Sequence, residues 1–170
     1  FTLLDFILAQ REKMEGDGNK SKEQESAAEA IENNIRKKVV EKIVLNPKYY
    51  EKMSAVLEQL ILERKQGVIT YAQLLEKYIE LARNVTKPEE NENYPEKVRH
   101  SAAMRALYDN TGCDADLAEA LHAAVIRSKM DRFRNAPVKE RRIKRELLKI
   151  LKSKDEVERV FKIIVEQEEY

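Results

Sequence analysis

Apolar residues recur at three- and four-residue intervals along almost the whole chain, and no stretch sustains an apolar–polar alternation. Side chains spaced this way share one face of an α-helix, whereas a half-buried strand needs alternation at every second position. Leu3, Leu4, Ile7 and Leu8 open the pattern, and Tyr50, Met53, Leu57, Leu60 and Ile61 carry it over several turns. Only 4 glycines and 4 prolines interrupt 170 residues, so the periodic segments run long. The expectation is an all-α fold, a multi-helix bundle of about seven antiparallel-type helices.

Start and stop signals place these helices. In NPKYYEKMSAVLEQLILERKQG at 46–67, Asn46 can accept from N–H groups that the first turn leaves unpaired. Pro47 sits where a missing N–H costs nothing, and Gly67 supplies the left-handed residue that ends the helix. Thr70 and Gln73 then stand at capping-box spacing, ahead of a stripe of Tyr71, Leu74, Leu75, Tyr78, Leu81, Ala82 and Val85. So short a connection predicts an antiparallel helix pair.

The same grammar recurs elsewhere. Ser21 with Gln24 precedes a long helix built on Ala27, Ala30, Ile31, Ile35, Val39 and Ile43. Ser101 precedes Met104, Leu107 and Tyr108; Asp114 precedes Leu117, Leu121, Ala124 and Val125; Ser153 with Glu156 precedes Val157, Val160, Phe161 and Ile164. GDGNK at 16–20 and DNTG at 109–112 read as breaks, and TKPEENENYPEK at 86–97 as a polar loop. Residues 1–20 thus read as an N-terminal helix and loop, and 21–170 as a helical domain with two candidate lobes, 21–86 and 97–170.

Composition narrows the functional classes. Charged residues make up 37% of the chain, and no uncharged apolar run approaches the ~18 residues a membrane span requires. The single cysteine, Cys113, fits a reducing compartment, so the expected location is cytoplasmic. A chain opening at Phe1 reads as a piece of a longer protein. There is no GxxxxGK[ST] phosphate loop, no GxSxG elbow and no HExxH pair. His100 reads as an exposed residue ahead of a helix, His122 as one at the core margin and Cys113 as an inert turn thiol. Glu89, Glu90 and Glu92 read as a solvated charge run, since a catalytic carboxylate needs burial or a partner to shift its pKa. No catalytic, metal-binding or cofactor-binding residue is expected.

RSKMDRFRNAPVKERRIKRELLK at 127–149 is the most informative charged tract, with ten Lys or Arg against three acids in a chain of net charge +1. Arg132, Arg134, Lys139, Arg141, Arg142, Lys144 and Arg145 are its candidate DNA or partner contacts. Such a stripe can neutralise phosphates with counterion release, or dock on an acidic protein surface. It can equally be a solvated helix face.

Several blocks together resemble the C-terminal helical region of the restriction (R) subunit of type I restriction–modification enzymes. They are ENN at 32–34, NPKYYEKMS at 46–54, ERKQG at 63–67, YAQLLEKYIEL at 71–81, ALYDNTG at 106–112 and the basic FRNAPVKERRIKREL tract. The likeness runs from about residue 26 to the end, and the order and spacing of the blocks carry it. Phe133 stands where the family often has tryptophan, and no glycine lies near Arg134 as it often does there. The resemblance implies a parent protein with a nuclease domain and two helicase-like motor lobes ahead of this segment. That parent would use ATP and magnesium to translocate double-stranded DNA and cut it. It further implies that these helices hold the R subunit on the core formed by the modification (methyltransferase) and specificity subunits. The alternative expectation is a helical nucleic-acid-binding module using residues 127–149.

Overall fold

The computed structural model describes residues 2–16 and 21–170. Its elements are α1 (Leu3–Gly16), α2 (Ser21–Lys42), α3 (Pro47–Gln66), α4 (Tyr71–Thr86), a 3-10 turn (Pro88–Glu90), α5 (Glu96–Arg99), α6 (Ala102–Asn110), α7 (Ala115–Ser128), α8 (Pro137–Leu151) and α9 (Lys154–Ile164). Among the described residues there is no strand, so the protein is all-α, with nine α-helices against the about seven expected. Part of the excess is four-residue α5, which interrupts the loop read from 86 to 97. No described helix is long and apolar enough to cross a membrane. Of the break expected at 16–20, Gly16 is the last residue of α1, and residues 17–20, like the side chain of Ser21, lie outside the described residues.

The local signals act as the sequence indicates. The Asn46 side chain accepts from the Tyr49 N–H at 3.3 Å, directly ahead of Pro47. Gly67 has φ +70, and the Gly67 and Val68 N–H groups donate to the Arg64 and Glu63 carbonyls, both at 3.2 Å. That pair of bonds satisfies carbonyls the last turn would otherwise leave open. Thr70 and Gln73 make both halves of their capping box. Ser101 and Asp114 each accept from the N–H three residues on. At Ser153 only half of the expected box forms, because the Glu156 carboxylate turns instead to Arg159 at 2.6 Å.

The described chain forms two units. One holds residues up to Ile43 together with Tyr50–Glu90. In it α1 and α2 lie against each other and against α4, burying Ile7, Ile31, Ile35, Leu74 and Leu75. The first helix is therefore packed with α2 and α4 inside a unit. Helix α3 joins through longer side chains. Its Tyr50 hydroxyl donates to the Val85 carbonyl at 3.4 Å, near the end of α4. At its other end Arg64 grips the Glu32 carboxylate of α2 at 2.6 and 2.8 Å, and Tyr78 of α4 donates its hydroxyl to the same carboxylate. The start of α3 beside the end of α4 is the antiparallel pair that the short connection requires.

The second unit holds Val44–Tyr49 with Asn91–Tyr170. Helices α6, α7, α8 and α9 pack successively, α9 also returning onto α6, around Leu107, Leu121, Ile143, Leu147, Val160 and Ile164. Tyr94, inside the stretch read as a polar loop, is buried and stacks on Tyr49 with ring centroids 5.6 Å apart.

Candidate functional site

Helix α8 begins with Pro137 in its first turn and buries Ile143 and Leu147, one turn apart. Val138, Arg141, Arg142 and Arg145 follow the i, i+3, i+4, i+7 rule, so they share a stripe away from those two residues. With the end of α7 they line a groove of about 620 Å³ whose walls are Arg127, Ser128, Met130, Val138, Arg141, Arg142, Arg145 and Glu146. Four guanidinium groups there face one carboxylate, and that carboxylate is already engaged. Glu146 lies 2.9 Å from Lys149 and 3.6 Å from Arg127. The hydrogen bond from Lys149, more than that from Arg127, holds its carboxyl below the usual glutamate range. Ser128 is buried, its hydroxyl donating to the Ala124 carbonyl at 2.6 Å.

The seven cations read as candidate contacts separate into two groups. Arg134 spreads its guanidinium over the carbonyls of Val165 at 2.7 Å, Gln167 at 2.7 Å and Tyr170 at 3.1 Å, and lies 4.6 Å over the Phe133 ring. Lys139 donates to the Asp131 carbonyl at 2.6 Å. Lys144 pairs with Glu158 at 3.1 Å and sits 4.8 Å over the Phe161 ring. Arg134 and Lys139 close the fold around the bend before α8, and Lys144 joins α8 to α9. Arg132, Arg141, Arg142 and Arg145 are exposed and make no ion pair or side-chain hydrogen bond with any described residue.

The bend itself places Arg132 and Asn135 at φ +55 and +60. Asparagine tolerates that region better than most residues; arginine adopts it at some cost. Between them Phe133 is buried, edge-on to Phe161 at 6.3 Å. Arg127, Met130 and Val138 complete the groove but were not among the candidates read from sequence. Val138 had a signal in its helical spacing with Arg141, Arg142 and Arg145, whereas Arg127 and Met130 lie outside α8, where that spacing does not reach.

A second polar cluster in the same unit faces inward. Asn46 donates to Asp109 at 2.8 Å and accepts from Asn110 at 2.8 Å; Asn110 accepts from the Lys48 N–H at 3.2 Å. Tyr94 donates its hydroxyl to Asp109, and burial followed by that bond raises its pKa far above the ordinary tyrosine value. Each side chain here holds another in place, tying the start of α3 to the end of α6.

The remaining titratable candidates are occupied or exposed. His100 is exposed and lies 2.9 Å from Glu96. His122 Nδ1 is 2.6 Å from the Tyr170 hydroxyl. Cys113 is exposed in a turn, at φ +58. Among the described residues no group of three or more His, Cys, Asp or Glu is gathered as metal ligands would be. In comparisons with known proteins, no family model matches the chain, and no curated protein or solved structure gives a significant match.

Proposed function

We propose that this chain is a helical attachment module without chemistry of its own, holding the R subunit of a type I restriction–modification enzyme on its modification–specificity core. The observation that carries the reading is how its polar side chains are used. Several in the family-like blocks, Glu32, Asn46, Arg64, Asp109, Asn110 and Arg134, are engaged in hydrogen bonds within their own units. Arg141, Arg142 and Arg145, without a partner among the described residues, lie together on one side of α8, beside exposed Met130 and Val138. A surface that joins guanidinium groups to apolar side chains suits a protein partner. The module would act in the cytoplasm, and the ATP, magnesium and double-stranded DNA used by the complete enzyme would be handled by other parts of it.

Capture of the purified modification subunit by this chain tests the proposal. Retention on an affinity column is the expected result. Failure to bind, together with normal assembly of an enzyme lacking these residues, overturns it. The same arginines support a second reading, direct binding to duplex DNA. In that case affinity would fall steeply with salt, and replacing Arg141, Arg142 and Arg145 by Glu would flatten the slope by about one for each phosphate no longer neutralised. Binding that is absent or indifferent to salt removes this reading.

A further inference from the structure

We infer that the groove between α7 and α8 receives an acidic peptide segment of the partner, its carboxylates over Arg141, Arg142 and Arg145 and an apolar side chain against Met130 and Val138. The inference rests on the attachment reading and specifies the chemistry of the partner surface.

Charge complementarity sets the sign of the occupant. The groove presents four arginines, and its one carboxylate, Glu146, is held by Lys149 and Arg127. Arg141, Arg142 and Arg145 have no partner among the described residues, so an incoming anion displaces no internal ion pair of theirs. A guanidinium fork donates to the two oxygens of a carboxylate side by side, a geometry that a lysine ammonium cannot reproduce. Phosphate satisfies the same fork, so charge alone does not choose between peptide and nucleic acid.

The apolar residues choose. Val138 is 72% exposed and Met130 45% exposed, and both line the same groove as the arginines. A sugar–phosphate backbone passing over them would remove the arginines' hydration while leaving these side chains little apolar surface to pack on. A peptide with an aliphatic residue between its carboxylates covers both kinds of surface at once. Methionine, unbranched and polarisable, adapts to such a side chain. A groove of about 620 Å³ holds a few side chains, which limits the occupant to a short segment.

The experiment uses the whole 170-residue chain and fluorescence anisotropy. The probe is a labelled synthetic peptide of Glu and Asp around one Leu. Its comparators are the same peptide with Ser for Leu, the same peptide with Gln and Asn for the acids, and a labelled DNA duplex. The parent peptide should bind about tenfold or more tightly than either altered peptide. R141E combined with R145E should abolish binding, and Val138→Ser should erase the preference for Leu over Ser, with circular dichroism confirming unchanged helix content. No binding of the parent peptide, indifference to Leu, or tighter binding of the duplex overturns the inference. The two proposals separate cleanly. If the modification subunit is still captured by the R141E/R145E variant, the groove fails and attachment stands. If the peptide binds but the modification subunit does not, attachment fails and the groove stands.

Discussion

Asn110 donates its side-chain amide to the Asn46 side-chain oxygen at 2.8 Å, across 64 residues of sequence. Asn46 at once caps α3 and donates to Asp109, so one side chain serves a local and a long-range bond. Replacing Asn110 by Ala strands the Lys48 N–H and should lower the unfolding free energy by about 1–3 kcal/mol. Asn110→Asp, although closest in shape, should cost at least as much, because it sets an acceptor against the Asn46 oxygen. Urea denaturation of the two variants gives the comparison, and an Asp variant as stable as the native chain would contradict it.

Glu32 and Arg64 form the buried ion pair of the first unit, with side chains 5% and 14% exposed. The hydrogen bond to Glu32 is the chief cause that raises the Arg64 pKa, so the guanidinium stays charged. Arg64→Met leaves a buried carboxylate without its cation and should cost about 3–5 kcal/mol. The double variant Glu32→Met with Arg64→Met should recover much of that loss, since two apolar residues replace two desolvated charges. A double-mutant cycle in urea measures the coupling; additive losses would show that the pair is not energetically linked.

Arg134 binds three carbonyls near the end of the chain, and no lysine can reach all three from one position. Arg134→Lys should therefore behave like Arg134→Ala, costing about 1–3 kcal/mol. Hydrogen exchange gives the sharper measurement. The Val165, Glu166 and Gln167 amides, bonded to Phe161, Ile163 and Ile164, should lose protection before the centre of α9 does. Rescue by lysine would show that charge alone suffices there.

High pH should unfold the protein through its buried tyrosines. In Tyr78 and Tyr94, burial first and a carboxylate partner second raise the folded pKa above the ordinary value of 10.0. Below the unfolded value both states keep the proton and the stabilisation is complete. Above it the unfolded chain ionises first, so stability drains away as pH climbs toward and through the folded value. The urea midpoint should fall between about pH 9 and pH 11, with tyrosinate absorbance from these residues growing together with the loss of helical circular dichroism. Tyr94→Phe should reduce the slope of that decline; an unchanged slope would assign the sensitivity to other groups.

Helix limits were legible in the sequence because each depends on residues within one turn of it. Asn46 and Pro47, Gly67, Thr70 with Gln73, Ser101 and Asp114 needed no distant partner to mark an end. Even there, Glu156 shows the limit of spacing alone, since Arg159 outcompetes the Ser153 N–H for its carboxylate. Tyr94 shows another, an anchor inside a stretch whose average polarity signalled only loop.

The sequence by itself determined that this chain is helical, where most of its helices begin and end, and that one tract concentrates positive charge. Tertiary structure decided which of those charges remain available. Arg134 and Arg141 are the same residue type seven positions apart, yet packing of the segment after α9 brings three carbonyls to one, while the other makes no hydrogen bond or ion pair with any described residue. The reason is range: capping and periodicity are settled by neighbours along the backbone, whereas the partner of a long flexible side chain depends on which helix faces come together.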